Sequence, residues 1–219
     1  EQYNMAYFTG PNIVTDGLVF AYDAGSERCY PGSGTSATNI TSQAIPGTLT
    51  NGVTFSTDNG GTWDFDGTDD HINIGNPTAL QSLTTGTIEA VYYRDASTST
   101  YQMIFNDGGS ALEITYSGNT LQFYIGNSGI SVTHAVVGEF VHVVGVWGSG
   151  YKKLYLNGSE VASGTNTGTN TGSTTRYIGG RGANFPFNGK IPLVRVYTAA
   201  LTAAEVTQNF NAQKSRFGL

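Results

Sequence analysis

Asn-Gly and Asp-Gly dipeptides punctuate this 219-residue chain seven times: Asp16-Gly17, Asn51-Gly52, Asn59-Gly60, Asp66-Gly67, Asp107-Gly108, Asn157-Gly158 and Asn188-Gly189. Each favours a two-residue turn whose central residues take positive φ, so each marks a place where a strand can reverse. The segments between them alternate with a period of two. Leu18, Phe20 and Tyr22 form one set, and Ile88, Ala90 and Tyr92 another. Leu112, Ile114 and Tyr116 run into Ser117-Gly118-Asn119, and Leu121, Phe123 and Ile125 return. In 140–147 both the even set (Phe140, His142, Val144, Val146) and the odd set (Val141, Val143, Trp147) are largely apolar, so both faces of that strand are expected to be buried. Many short strands at this spacing predict a β-sandwich or barrel.

One helix is expected, over about 202–213. Thr202-Ala203-Ala204-Glu205 fits a capping box, and Val206 and Phe210 follow four apart on one face. The end, Arg216-Phe217-Gly218-Leu219, carries two apolar residues that need a surface on this subunit or another. Residues 163–175, SGTNTGTNTGSTT, read as a solvated loop. Residues 1–15 are expected to be an N-terminal extension and 16–219 one domain, long enough to bury a core without staples. Cys29 stands alone, so no intrachain disulfide forms, and beside Tyr30-Pro31-Gly32 it lacks an obvious basic partner, so no reactive thiol is expected there.

The formal charge of −6 and the lack of a basic cluster beyond Lys152-Lys153 argue against nucleic acid as a partner. No apolar run reaches the roughly 18–20 residues of a membrane span, so no membrane insertion is expected. The N-terminal EQYNMAYFTG lacks the basic and apolar regions of a signal peptide.

WDFDGTDDHINIG, residues 63–75, holds Asp64, Asp66, Asp69 and Asp70. No register places acidic residues and glycine where an EF-hand loop needs them. Strand alternation instead puts Trp63 and Phe65 on one side and Asp64 and Asp66 on the other. A tight turn at Asp66–Asp69 follows, then Ile72 and Ile74 inward with His71 and Asn73 outward. The cluster reads as a hairpin, with an ion held by Asp69 or Asp70 and backbone carbonyls as the alternative.

FDGTDDHINIG, GEFVHVVGVW, KKLYLNGSEVASG, RYIGGRG and FNGKIPLVRVYTAALTAAEVTQNFNA, in this order, resemble the signature segments of laminin-G-like (concanavalin A-like) jelly-roll domains, from about Gly17 to Phe210. The resemblance implies an all-β fold: a two-sheet antiparallel jelly-roll sandwich with a short C-terminal helix. It says less about function, since the architecture hosts glycan binders, adhesion modules, hydrolases and viral structural proteins. Phe140 replaces the family's usual tryptophan before His142. Calcium-binding members carry an acidic ligand before the strand matching Ala111–Tyr116, and Asp107, displaced by a Gly-Gly-Ser loop, is the nearest candidate here. Asp69, Asp70 and Asp107 are therefore the candidate metal ligands, and calcium is the one candidate cofactor.

Hydrolases of this fold place catalytic carboxylates on one strand as Glu-x-Asp-x-x-Glu or Glu-x-Asp-x-Glu. Glu89, Glu113, Glu139, Glu160 and Glu205 are each isolated, no catalytic residue is assigned, and the chain is read as non-enzymatic. The histidines lack metal-ligand spacing, and His142, within an apolar strand, reads as a hydrogen-bonded core residue. The loop from Gly179 to Asn188 mixes aromatic and hydrogen-bonding groups, so Arg181, Asn184, Phe185 and Phe187 are the candidate ligand contacts.

Small proteins with an opening like GPNIVTDGLVFAYDAG and an ending like NFNAQKSRFGL are similar to structural proteins of tailed bacteriophages and to bacterial surface proteins. This resemblance implies a virion module (head decoration, appendage or tail fibre) whose partners are other virion proteins or itself, bound through Glu1–Thr15 and Ser215–Leu219. The alternative is a lectin-like module, extracellular or at a cell surface, with a glycan as partner.

Overall fold

The computed structural model describes residues 11–97, 100–107, 112–126, 128–168 and 174–219. Residues 1–10 of the expected extension, Gly108 and the 169–173 part of the polar loop lie outside them.

The strands are β1 (Leu18–Asp23), β2 (Ser36–Thr38), β3 (Pro46–Thr50), β4 (Thr54–Ser56), β5 (Thr62–Asp66), β6 (His71–Gly75), β7 (Gly86–Arg94) and β8 (Tyr101–Asn106). They continue as β9 (Leu112–Ser117), β10 (Thr120–Ile125), β11 (Ser128–Thr133), β12 (Phe140–Gly148), β13 (Tyr151–Leu156), β14 (Ser159–Gly164), β15 (Arg176–Ile178) and β16 (Asn188–Tyr197), and helix α1 spans Ala203–Phe217. Two antiparallel sheets result. The first runs β14-β13-β12-β7-β16-β5-β4, with β1 also on β16; the second runs β11-β10-β9-β8-β15-β6-β3-β2.

The alternation read from the sequence decides which side chains meet between the sheets. Ile88, Ala90 and Tyr92 of β7, Val141 and Val143 of β12, and Trp63 and Phe65 of β5 point inward from the first sheet. Ile72 and Ile74 of β6, Ile114 and Tyr116 of β9, and Leu121 and Phe123 of β10 meet them from the second. Tyr92 and Tyr116 cross edge-to-face at 5.7 Å and their hydroxyls meet at 2.5 Å, so the polar tips of both rings are satisfied inside the core. Burying each such large side chain contributes roughly 1.5–3 kcal/mol.

The outer face of the first sheet is covered too. Val144, Val146, Tyr155, Tyr197, Leu201 and Val206 form a second apolar cluster, and Val91, Leu193 and Phe217 a third. The double burial of β12 thus has a cause: one face meets the second sheet, the other lies on the α1 side. The helix begins as expected, with Glu205 N–H donating to Thr202 Oγ1 (3.3 Å) and Thr202 N–H to the Glu205 carboxylate (2.7 Å). It runs one turn further than about 202–213, because Val206, Asn209, Gln213 and Phe217 make a single buried stripe, and Gly218 ends it at φ 70°. Val14 packs in the second cluster and its N–H donates to Asn209 (2.8 Å), so the described part of the N-terminal segment lies along the helix. No helix among the described residues is long and apolar enough to cross a membrane.

The Asn157-Gly158 turn links β13 to β14, both residues taking positive φ. Asn188-Gly189 corrects the expectation of a hairpin, because it lies inside β16. A Cβ on Gly189 would stand 2.0 Å from the Tyr93 carbonyl oxygen, so glycine there serves a close approach of strands.

Candidate functional site

Helix α1 lies on the first sheet and not on the outer face of the second, where the polar half of each strand's alternation points. Met103, Asn106 and Thr115 are buried on that face, while Glu113, Gln122, Tyr124 and Tyr177 are partly exposed. Tyr101, Met103 and Asn106 of β8, Glu113 and Thr115 of β9, Gln122 and Tyr124 of β10 and Tyr177 of β15 fall on it by register. Several are aromatic, which a merely solvated face does not require. Tyr124 lies over its cross-strand partner Gly129, where a Cβ would come within 2.6 Å of the ring.

The loop after β15 folds along this face. A register shift between Met103 and Phe105 marks a bulge in β8; Met103 N–H donates to the Phe185 carbonyl (3.1 Å), and Gly179 N–H donates to Ile104 (3.2 Å). Arg181 and Asn184 exchange backbone bonds of 2.8 and 3.3 Å. Phe185 then takes φ 54°, a left-handed conformation rare for a bulky residue, and its exposed ring meets Tyr101 edge-on at 5.7 Å.

Glu113 accepts from Asn106 at 2.7 Å. Burial raises its carboxyl above the usual range, with Asp107 adding to the rise and Arg181 and Asn106 opposing it. Tyr124 is likewise raised by burial, then by Tyr101 and Glu113. Exposed Tyr101 and Phe185, with half-buried Tyr124, therefore stand beside Glu113 and Arg181. This arrangement offers flat apolar faces next to hydrogen-bonding groups, the combination a sugar ring needs.

Of the four loop residues singled out in the sequence, Arg181, Asn184 and Phe185 lie at this face. Phe187 does not. It is fully buried, edge-on to Phe65 at 6.5 Å and to Tyr92 at 6.2 Å, so it holds the loop root to the core and cannot touch a ligand. Tyr101, Tyr124 and Glu113 come from separate strands and were missed; the available signal was aromatic residues on the polar side of an alternation.

The aspartates gather elsewhere. Ligand atoms of Asp66, Asp69 and Asp70 lie within 4.8 Å of one another at the β5–β6 turn. Asp107 is not among them: it is fully buried at the end of β8, where its charge acts on Glu113 and Arg176. Burial raises Asp70, helped by Asp66 and Asp69. His71 points to the outer side as expected but is buried there, because its ring meets Tyr177 edge-on at 5.5 Å and its Nδ1 bonds the Asp69 carbonyl (2.9 Å).

Glu89, isolated in the sequence, is tied into a dense buried network. It accepts from Arg195 (2.9 Å), His142 (3.0 Å) and Gln213 (2.8 Å) on one oxygen, and from Asn209 (2.8 Å) and Tyr197 (3.2 Å) on the other. Burial alone would raise it, but Arg195 and His142 more than offset this and hold it at about 2. Sealed under α1, it can act on no substrate. Burial pushes the Cys29 thiol up to about 11, which keeps it protonated.

Residues 66–207 match the family model described as the concanavalin A-like lectin/glucanases superfamily, of laminin G type. No curated protein sequence matches the chain. Among solved structures, domain 4 of AbnA, a GH43 extracellular arabinanase from Geobacillus stearothermophilus, in complex with arabinotriose, aligns with TM-score 0.67 and 20% identity over 89% of this chain and 98% of that one. Trypanosoma rangeli sialidase in complex with sialic acid aligns with TM-score 0.70 and 16% identity over 94% of this chain, which spans 35% of the sialidase. The botulinum neurotoxin serotype G binding domain aligns with TM-score 0.74 and 12% identity over 90% of this chain and 51% of that one. At these identities the likeness shows the fold.

Proposed function

Because the chain belongs to the concanavalin A-like lectin/glucanases superfamily, we propose that it is a non-enzymatic binding module that recognises carbohydrate on the outer face of its second sheet. The observation that carries this reading is Phe185. A large aromatic ring is kept exposed at φ 54°, edge-on to exposed Tyr101, beside the outer face of the second sheet, which helix α1 does not cover. Strain of this kind costs on the order of 1 kcal/mol and clusters at ligand sites. Arg181 and Glu113 supply a donor and an acceptor for hydroxyl or carboxylate groups of a sugar. Several fold neighbours carry binding roles in their names, and an arabinotriose complex and a sialic acid complex are among them. An extracellular or cell-surface setting follows from this reading.

The test is a glycan array containing arabino-oligosaccharides and sialylated glycans, with and without calcium, followed by titration of any hit. We expect binding without hydrolysis, weakened about tenfold or more by Tyr101→Ala and by Tyr124→Ala, since aromatic anchors dominate such sites. Silence across the array, or affinity indifferent to both substitutions, removes the reading. A hit that is cleaved makes the chain an enzyme and Glu113 the residue to replace next.

Attachment within a phage virion is the narrower alternative, resting on the resemblance of the two ends of the chain. Its motive in the apolar C-terminus is weakened by Phe217, which packs on Val91 and Leu193 of the same chain. Native mass spectrometry addresses it, since virion modules self-associate or dock on symmetric lattices.

A further inference from the structure

We propose that a cleft beside the last turn of α1 binds an amphipathic amine, an aromatic or aliphatic body carrying one ammonium group. The site is separate from the carbohydrate face above. The cleft encloses about 420 Å³ between the β11–β12 connection and the end of the helix, within the range of small-molecule sites. Its body is apolar: Tyr93, Phe140 and Phe217 form one wall, and Val136 and Leu219 extend it.

Strand register explains the wall. Tyr93 of β7 and Phe140 of β12 are directly opposite neighbours, and both face outward from the first sheet. Phe140 stands 5.2 Å from Tyr93 at 60° and 5.2 Å from Phe217 at 45°. Rings tilted in this way do not cover one another's faces, and Tyr93 and Phe140 are only half-buried. Gly138 (φ 79°) and Gly218 (φ 70°) edge the mouth. A Cβ would meet only the Tyr93 hydroxyl at 3.8 Å at the first, and nothing within 4 Å at the second. Aromatic surface is thus left open beside the apolar cluster of Val91, Leu193 and Phe217.

Charge selects the ligand. Glu139 is exposed and is the only charged side chain in the lining, and among the described residues no ion pair includes it. The cations nearby are committed elsewhere. Lys190, 5.6 Å from the centre of the Tyr93 ring, is held by Asp64 at 2.8 Å, and Arg216, 4.7 Å from that of Phe217, by Asp23 at 2.9 Å. Arg94 follows Tyr93 and so points to the other side of β7, where it lies over the Tyr116 ring at 3.8 Å. His134 lines the cleft, but burial and then Arg94 lower its pKa, so it adds no positive charge at neutral pH. An anion finds no cationic side chain in this wall, and a neutral ring leaves Glu139 unused. An ammonium group gains the Glu139 carboxylate and the faces of Tyr93 and Phe140, while its apolar body displaces water from the rings.

Titration with phenethylamine, phenethyl alcohol and hydrocinnamate, followed by NMR shifts and calorimetry, tests this, because the three share a ring and differ in charge. We expect saturable binding of the amine, about tenfold weaker binding of the alcohol, and none of the carboxylate. Glu139→Gln, at an exposed side chain, keeps the parental melting point and erases the advantage of the amine over the alcohol. Phe140→Leu weakens both; if it does not fold, Glu139→Gln alone decides. An alcohol that binds as well as the amine, or an amine preference that survives Glu139→Gln, overturns the proposal, as does silence from all three compounds. Neither substitution touches the outer face of the second sheet, so this site and the carbohydrate reading fail independently.

Discussion

His142 Nε2 and Glu89 Oε1 stand 3.0 Å apart, both fully buried between the first sheet and helix α1. The carboxylate can only accept, so Nε2 carries the hydrogen, and the ring stacks on Phe210 of the helix at 5.8 Å. Strand β7 supplies the acid, β12 the imidazole, β16 Arg195 and Tyr197, and α1 Asn209 and Gln213. Four elements are therefore tied to one side chain. A buried charge of this kind contributes less to net stability than to fixing one helix register, because each wrong register leaves Glu89 or Arg195 without a partner.

This tie makes stability fall in acid. Glu89 titrates at about 2 in the fold against an ordinary 4.5, so its stabilisation is fully present above about pH 4.5 and is lost as pH drops from there toward 2. The size is on the order of 3 kcal/mol. Glu89→Gln removes the dependence and strands the Arg195 guanidinium, costing about 3–5 kcal/mol at neutral pH. Melting curves across pH 2–6 should show a shallower acid decline in the variant than in the parent. Parallel declines would mean that other carboxylates carry the acid response.

The fold was legible because it depends on properties a sequence displays directly: which residues alternate, where φ must turn positive, and where a threonine precedes a glutamate by three. The network at Glu89 was not legible, since its members lie up to 124 positions apart and only strand order brings them together. The open face was half legible. The loop at Arg181–Phe185 could be singled out by composition, but Phe185 and Phe187 are equivalent on paper. Only the left-handed backbone at Phe185 and the Phe65–Tyr92 slot around Phe187 separate the exposed ring from the buried one. The pairing of Asp107 with Asp69 and Asp70 failed for the same reason as the network: the turn at Asp66–Asp70 and the end of β8 are different places.

Two glycines with positive φ test how local chemistry and packing differ. Gly75 (φ 72°) has nothing within 4 Å of where a Cβ would go, so Gly75→Ala costs only the left-handed penalty, about 1 kcal/mol. At Gly189 a Cβ would meet the Tyr93 carbonyl at 2.0 Å, and strands β16 and β7 must part to admit it. Gly189→Ala should therefore cost at least about 3 kcal/mol. Urea unfolding of both variants checks this, and equal losses would mean that β16 can shift without penalty.

The C-terminal turn offers a similar contrast between self-contact and contact with a neighbour. Phe217 packs on Val91 and Leu193 and meets Phe140 at 5.2 Å. Phe217→Ala should cost about 3–5 kcal/mol at any protein concentration. A loss that grows as the parent protein is concentrated would instead place that ring in an interface between copies.

Phe185 allows stability and binding to be separated at one position. Glycine accepts φ 54° without strain, which returns about 1 kcal/mol, while the lost edge contact with Tyr101 costs about 0.5–1.5 kcal/mol. Phe185→Gly should therefore melt within about 1 kcal/mol of the parent. If the ring is held outward to receive a sugar, the same variant loses most of its affinity for whichever glycan the array identifies, because the stacking surface is gone and the loop is freer to move. If the ring only packs against Tyr101, affinity stays unchanged and the strain at Phe185 has no function in recognition. A variant with parental stability and lost binding is an outcome that a purely structural role cannot produce.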